Sequence, residues 1–192
     1  LWILKYKLNK IKAELADDQR EILRFAQDKR EFKMALKVGD KAPEFTLPSF
    51  TPSEELAQIS LGDYKGKNVV LLFFPQAFTG VCTTEMCTMS DNFNSYQGMN
   101  AEILGISVDG TFVQKAFAEK NGIKIPLLSD FNKEVIRKYD VVQAEFAHGQ
   151  KETAQRAVYL IDKDGVIKYV EVTENPGVQV NFDALKTAAA GV

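Results

Sequence analysis

The sequence predicts an α/β protein, a mixed β-sheet covered by helices, and three observations predict it. Strand-like and helix-like segments alternate from Lys37 onward. "NVVLLFF", Asn68 to Phe74, is a continuous apolar run with β-branched members, the pattern of a central strand buried on both faces. "RAVYLIDKDGVIKYVEV" holds two strand-like runs around Asp164-Gly165, so the sheet ends in an antiparallel hairpin.

The elements follow in order. Residues 1–38 contain no Gly and no Pro, whereas all 12 Gly and all 6 Pro come later. Residues 1–33 carry nine Lys/Arg and six Asp/Glu, a net +3, which leaves −5 of the −2 total for residues 34–192. Ile11, Leu15, Ile22 and Phe25 recur at roughly helical spacing, so residues 1–33 read as an amphipathic helical extension. It is either a solvated appendage or a partner-binding helix. Met34, opening "MALKVGDKAPEF", reads as a natural start of the main domain, residues 34–192.

"EFTLPSF" and "AQISL" are short strand candidates, and "NVVLLFF" is the central strand. A helix is expected from about Val81, then the strand "AEILGISVD". "TFVQKAFAEKNG" is a helix closed by Gly122. "IPLLSD" is strand-like, "NKEVIRKYD" helical, and "AEFAHGQKE" a surface loop in which His148 is given no role. After the hairpin, "NFDALKTAAA" is a closing helix.

Composition excludes several functions. Hydrophobic residues are 45% and charged residues 26%, as in a globular protein. A net charge of −2 gives no reason to expect nucleic acid. The apolar run Val69 to Phe74 is far short of the ~18 residues of a membrane helix. "LWIL" is too short for a signal-peptide core, so the cytoplasm is the expected location. Two cysteines and one histidine give a zinc site within one chain at most three Cys/His ligands, where a closed structural site takes four. No metal and no cofactor are expected.

The chemistry gathers in "FFPQAFTGVCTTEMCTMSD", which holds both cysteines, Cys82 and Cys87. Cys82, Met86, Met89, Phe93 and Tyr96 share one helical face, which packs inward on the sheet. Cys82 therefore stands in the first turn, near N–H groups without a helical partner. Such a position favours an anion. A free thiol is only about 3% thiolate at pH 7, and helix N-termini and nearby cations raise that share. Against this stands Cys82 as an inert small hydrophobe capping the stripe. Thr79 is either a helix N-cap or a hydroxyl that donates and accepts beside the sulfur.

Pro75-x-x-x-Thr79-x-x-Cys82, in "PQAFTGVC" after an apolar strand, resembles the PxxxTxxC signature of the peroxiredoxins, thiol peroxidases on a thioredoxin-like fold. The likeness extends over most of the chain after residue 34, through "VGDKAPEFTLPS", "PLLSD", "KYDV" and "RAVYLIDKDGVIKYV". It implies that Cys82 is the peroxidatic thiolate, attacking a hydroperoxide and becoming sulfenic acid. It implies that Thr79 aligns the peroxide and that Pro75 shields the sulfur. Arg156, opening a late strand, stabilises charge, with the N–H groups of Val81 and Cys82 as further donors. Glu85 stands where relatives often place a residue that orients the Arg. The other reading of Glu85 is an exposed early-helix acid, and of Arg156 a solvated surface charge.

Cys87 has the spacing of the resolving cysteine in the PrxQ-type (bacterioferritin-comigratory) branch. "FFPQAFTGVC", "PLLSDF" and "VTENPGVQVNFDAL" are more similar to the AhpE-like branch, in which one-cysteine enzymes occur. Five helical residues rotate by about 140° and separate the Cα atoms by roughly 8–9 Å. A disulfide needs about 4.4–6.8 Å, so a bridge requires the helix to unwind. Otherwise Cys87 fills a gap and an outside thiol reduces Cys82. The resemblance implies thioredoxin or a glutaredoxin-like protein as reductant, and a homodimer formed beside the site. Two competitors are a thioredoxin-type exchanger, disfavoured because CxxC is absent, and a peroxide sensor relaying oxidation through residues 1–33.

Overall fold

A computed structural model describes residues 35–51 and 55–192. The helical extension expected over residues 1–33 and the start expected at Met34 lie outside the described residues.

The central sheet grows from the apolar run. Strand β3 (Asn68–Phe73) is buried along its whole length. The sheet also contains β4 (Ala101–Ser107), β5 (Leu127–Ser129), β8 (Ala157–Ile161) and β9 (Ile167–Val172), in the order β5-β4-β3-β8-β9. Strands β3, β4 and β5 are parallel, and β8 and β9 are antiparallel to their neighbours, which makes the sheet mixed. Outside it, β1 (Thr46–Phe50) pairs with β2 (Leu56–Ser60), and β6 (Val142–Phe146) with β7 (Gln150–Ala154), both antiparallel.

Alternation along β3 divides the core between two faces. Val69, Leu71 and Phe73 pack with Tyr139 and Tyr159. Val70, Leu72 and Phe74 pack with Cys82, Met86, Met89 and Phe117. The helices are α1 (Gly80–Asp91), α2 (Phe93–Gln97), α3 (Thr111–Asn121), α4 (Glu134–Lys138) and α5 (Phe182–Ala190). Gly105 in β4 lets α1 lie close to the sheet, because a Cβ there would stand 2.6 Å from Leu127 Cδ2 and 3.2 Å from Met86 Sδ. Gly122 closes α3 in the left-handed conformation at φ 63°, as its sequence position predicts.

Two expectations change. The stripe from Cys82 to Tyr96 is not one helix, because the chain breaks at Asn92 (φ −85°, ψ 0°). Asn92 Nδ2 donates to Thr88 O at 2.8 Å, so its side chain competes with the helical ladder. "AEFAHGQKE" is not an irregular loop. It supplies the facing ends of β6 and β7, with a 3-10 turn at Ala147–Gly149 and His148 exposed at φ 60°.

Candidate active site

The site forms where the central strand ends. After Phe73 the chain turns through Pro75 to Thr79 and enters α1 at Gly80. On the neighbouring strand Phe73 is paired with Ala157. That antiparallel register brings Arg156, the residue before Ala157, to the same end of β3 as Pro75 and Cys82. Residues 74 apart in sequence thereby meet: Arg156 Nη2 donates to Cys82 Sγ at 3.4 Å.

Cys82 has no exposed surface, and Arg156 is 1% exposed. A charge this deep is costly unless its donors are satisfied. Arg156 Nη1 is paired with Glu85 Oε2, while Nε and Nη2 donate to Pro176 O at 3.1 and 2.7 Å. The guanidinium is thus held from two sides, with one edge turned to the sulfur. Arg156 is not a solvated surface charge, and Glu85, which has no exposed surface either, is not an exposed acid. Burial pushes the Glu85 carboxyl up to about 7, against the pull of Arg156. Its Oε1 has no hydrogen-bond partner.

Thr79 stands at the N-cap position of α1, but its side chain makes no capping bond. The hydroxyl donates to Gln76 O at 2.9 Å, which leaves its lone pairs free to accept. The first intrahelical bond runs from Thr83 N to Thr79 O at 2.9 Å, so the N–H groups of Gly80, Val81 and Cys82 precede the helical ladder. They add positive potential at the sulfur's end of the helix. Pro75 is buried.

Cys87 is set apart. It is half-buried, and its thiol faces the Asn121 carbonyl of α3 at 3.8 Å. Both cysteines are free thiols. The structure therefore brings Cys82, Arg156 and Glu85 into direct contact, sets Pro75 and Thr79 in the adjoining turn, and leaves Cys87 aside. Sequence reasoning did not include the Pro176 carbonyl that holds Arg156. It also did not include Asp109, whose carboxylate accepts from Ala77 N at 2.8 Å. The signal for Asp109 was Ser107-x-Asp109 at the end of a strand, a common local side-chain-to-backbone motif.

A buried thiol at a helix N-terminus, facing an arginine held by a carboxylate, stands in the kind of surroundings that favour a thiolate. Residues 38–170 match the AhpC/TSA family. The chain is 37% identical over 166 residues to the chloroplastic 2-cysteine peroxiredoxin of Chattonella marina var. antiqua, covering 82% of this chain and 81% of that one. It is 37% identical over 138 residues to the putative peroxiredoxin bcp of Coxiella burnetii, covering 71% and 89%. Among solved structures, Enterococcus faecalis AhpC superposes with a TM-score of 0.72 at 30% identity, covering 82% of this chain and 92% of that one. The chain belongs to the AhpC/TSA family, the peroxiredoxins, and is a thiol peroxidase on a thioredoxin-like fold.

Proposed function

We propose that Cys82 is the peroxidatic thiolate of an enzyme that reduces hydrogen peroxide, alkyl hydroperoxides or both. The observation that carries this is the contact of Arg156 Nη2 with the sulfur of the fully buried Cys82. The thiolate attacks the terminal peroxide oxygen and the O–O bond breaks. The terminal oxygen stays on sulfur with its hydrogen as sulfenic acid, and the departing alkoxide or hydroxide takes a proton from solvent to become alcohol or water. Thr79, whose hydroxyl proton is bonded to Gln76 O, holds the peroxide in line by accepting its O–H through the free lone pairs. Arg156 and the N–H groups of Val81 and Cys82 stabilise charge on the departing oxygen. Pro75 excludes water from the sulfur. Glu85 orients the guanidinium.

Cys87 is the resolving thiol in this reading. It attacks the sulfenic acid, releases water and leaves a Cys82–Cys87 disulfide. Thioredoxin or a glutaredoxin-like donor in a reducing cytoplasm then reduces the bridge by thiol exchange. The first turns of α1 must open for this. Supporting that, the Thr83 and Thr84 hydroxyls bond back to Thr79 O and Gly80 O at 2.8 and 3.1 Å, an arrangement that weakens helices. The second reading is a one-cysteine peroxidase resolved by an outside thiol, favoured by the way Cys87 faces α3 instead of Cys82. Intact-mass analysis after one equivalent of peroxide separates them. A loss of two mass units that disappears in Cys87→Ser supports the bridge, whereas a stable gain of one oxygen in the wild type rejects it.

A homodimer belongs to the same reading. Phe78, Phe112 and Phe131 are exposed and follow the ends of β3, β4 and β5, which is the end of the sheet that holds the site. Sedimentation of the wild type and of a Phe112→Glu variant tests this: a dimer that dissociates on substitution is expected.

A further inference from the structure

The turn that carries Pro75 and Thr79 has few internal supports. Phe78 has a φ of 63°, a left-handed conformation that costs a non-glycine residue about 1–2 kcal/mol. Its ring is half-exposed and rests edge-on against Phe117, with centroids 5.1 Å apart. Within the turn, the Thr79 hydroxyl bonds Gln76 O. The turn's one hydrogen bond to another element's side chain, among those described, is from Ala77 N to Asp109 Oδ2 at 2.8 Å.

Asp109 is itself held firmly. Its Oδ2 also accepts from Ser107 Oγ at 2.8 Å. Ser107 Oγ in turn accepts from Gln114 Nε2 at 2.9 Å, and Gln114 Nε2 also donates to Leu128 O at 2.8 Å. Ser129 Oγ donates to Asp109 O at 2.6 Å. Ser107, Gln114 and Ser129 are buried, with 0%, 1% and 3% exposure. The ends of β4 and β5 and the first turns of α3 therefore fix one carboxylate, and that carboxylate fixes Ala77, two residues after Pro75 and two before Thr79. Such a chain of bonds orients a group more tightly than any one bond would.

We propose that Asp109 is a positioning residue of the peroxide site: by clamping Ala77 N–H it holds the Pro75–Thr79 turn so that Thr79 is presented to a peroxide bound at Cys82. This rests on the peroxidase reading of Cys82. Asp109 touches no reacting atom and acts through the turn. A small displacement of an aligning group suffices to slow a reaction about a hundredfold.

The test uses the full chain and compares the wild type, Asp109→Ala and Asp109→Asn. Each is followed by stopped flow with hydrogen peroxide and, separately, by alkylation with iodoacetamide, which does not need Thr79 to align it. For Asp109→Ala a fall of about a hundredfold in peroxide rate is expected, with the alkylation rate of Cys82 unchanged within about threefold. Asp109→Asn keeps an oxygen acceptor for Ala77 N–H and is expected to recover to within about tenfold of the wild type. Equal peroxide rates for Asp109→Ala and the wild type overturn the inference. A parallel rise in alkylation overturns it too, because that marks loosening of the whole site. A wild type no faster than free cysteine rejects the peroxidase reading itself, a result distinct from either.

Discussion

Cys82 and Cys87 lie in one helix, five residues apart, in different surroundings. Cys82 is sealed from solvent and faces a guanidinium at 3.4 Å. Cys87 is half-buried and faces a neutral backbone carbonyl at 3.8 Å. The comparison teaches that two thiols of one helix can differ in burial and in the charge they face. A helix N-terminus and a fixed cation favour a thiolate, and these stand at Cys82, whereas the bonded partner of Cys87 is neutral. The helix supplies the N-terminal N–H groups, and the antiparallel register of β8 on β3 supplies the cation.

The sharpest way to break this asymmetry is to remove each thiol. Cys82→Ser is expected to abolish peroxide consumption, a loss of at least ~10³-fold, in a coupled assay with thioredoxin. Cys87→Ser is expected to leave the first oxidation unchanged and to slow only later turnovers. Equal losses in the first turnover for both variants would end the asymmetry.

Next in size is Arg156→Met. Loss of a charged donor aimed at the reacting group is expected to cost about 10²–10³-fold in the rate of Cys82 oxidation. Stability falls as well, since Glu85 is left buried without its cation. Stopped flow and a denaturant titration read the two effects separately.

Glu85 gives the pH dependence. Its folded-state carboxyl is raised from 4.5 to about 7, so between those values the folded protein holds a proton that the unfolded chain has lost. Stability from this group is complete below about 4.5 and is lost as pH rises through about 7. Urea midpoints of the wild type are expected to fall across that interval, and Glu85→Gln is expected to flatten the fall. A midpoint in Glu85→Gln with the wild-type slope contradicts the assignment. The smallest effect belongs to Cys87→Ser on stability, a change of about 1 kcal/mol or less by denaturant titration.

Much of this was legible in the chain. "NVVLLFF" announced a strand buried on both sides because apolar patterning is local. Pro75, Thr79 and Cys82 were visible together because eight consecutive residues hold all three. Arg156 stood out through the family resemblance, since only strand register, which no local pattern encodes, brings it to the sulfur. The hairpin of β6 and β7 was missed because "VQAEF" and "QKETA" together are polar at most positions, with little apolar alternation. Asp109 was missed because Ser107-x-Asp109 marks only a local turn, while the backbone N–H it holds lies 32 residues away. The break at Asn92 was missed because the apolar stripe continues across it at helical spacing.

The central claim is that Arg156 and the start of α1 make Cys82, and not Cys87, the nucleophile. The direct test is stopped-flow oxidation of the Cys87→Ser protein by hydrogen peroxide, followed by peptide mass analysis. The account predicts a rate at least ~10³ times that of free cysteine, with one added oxygen on the Cys82 peptide. A rate equal to that of free cysteine would contradict it.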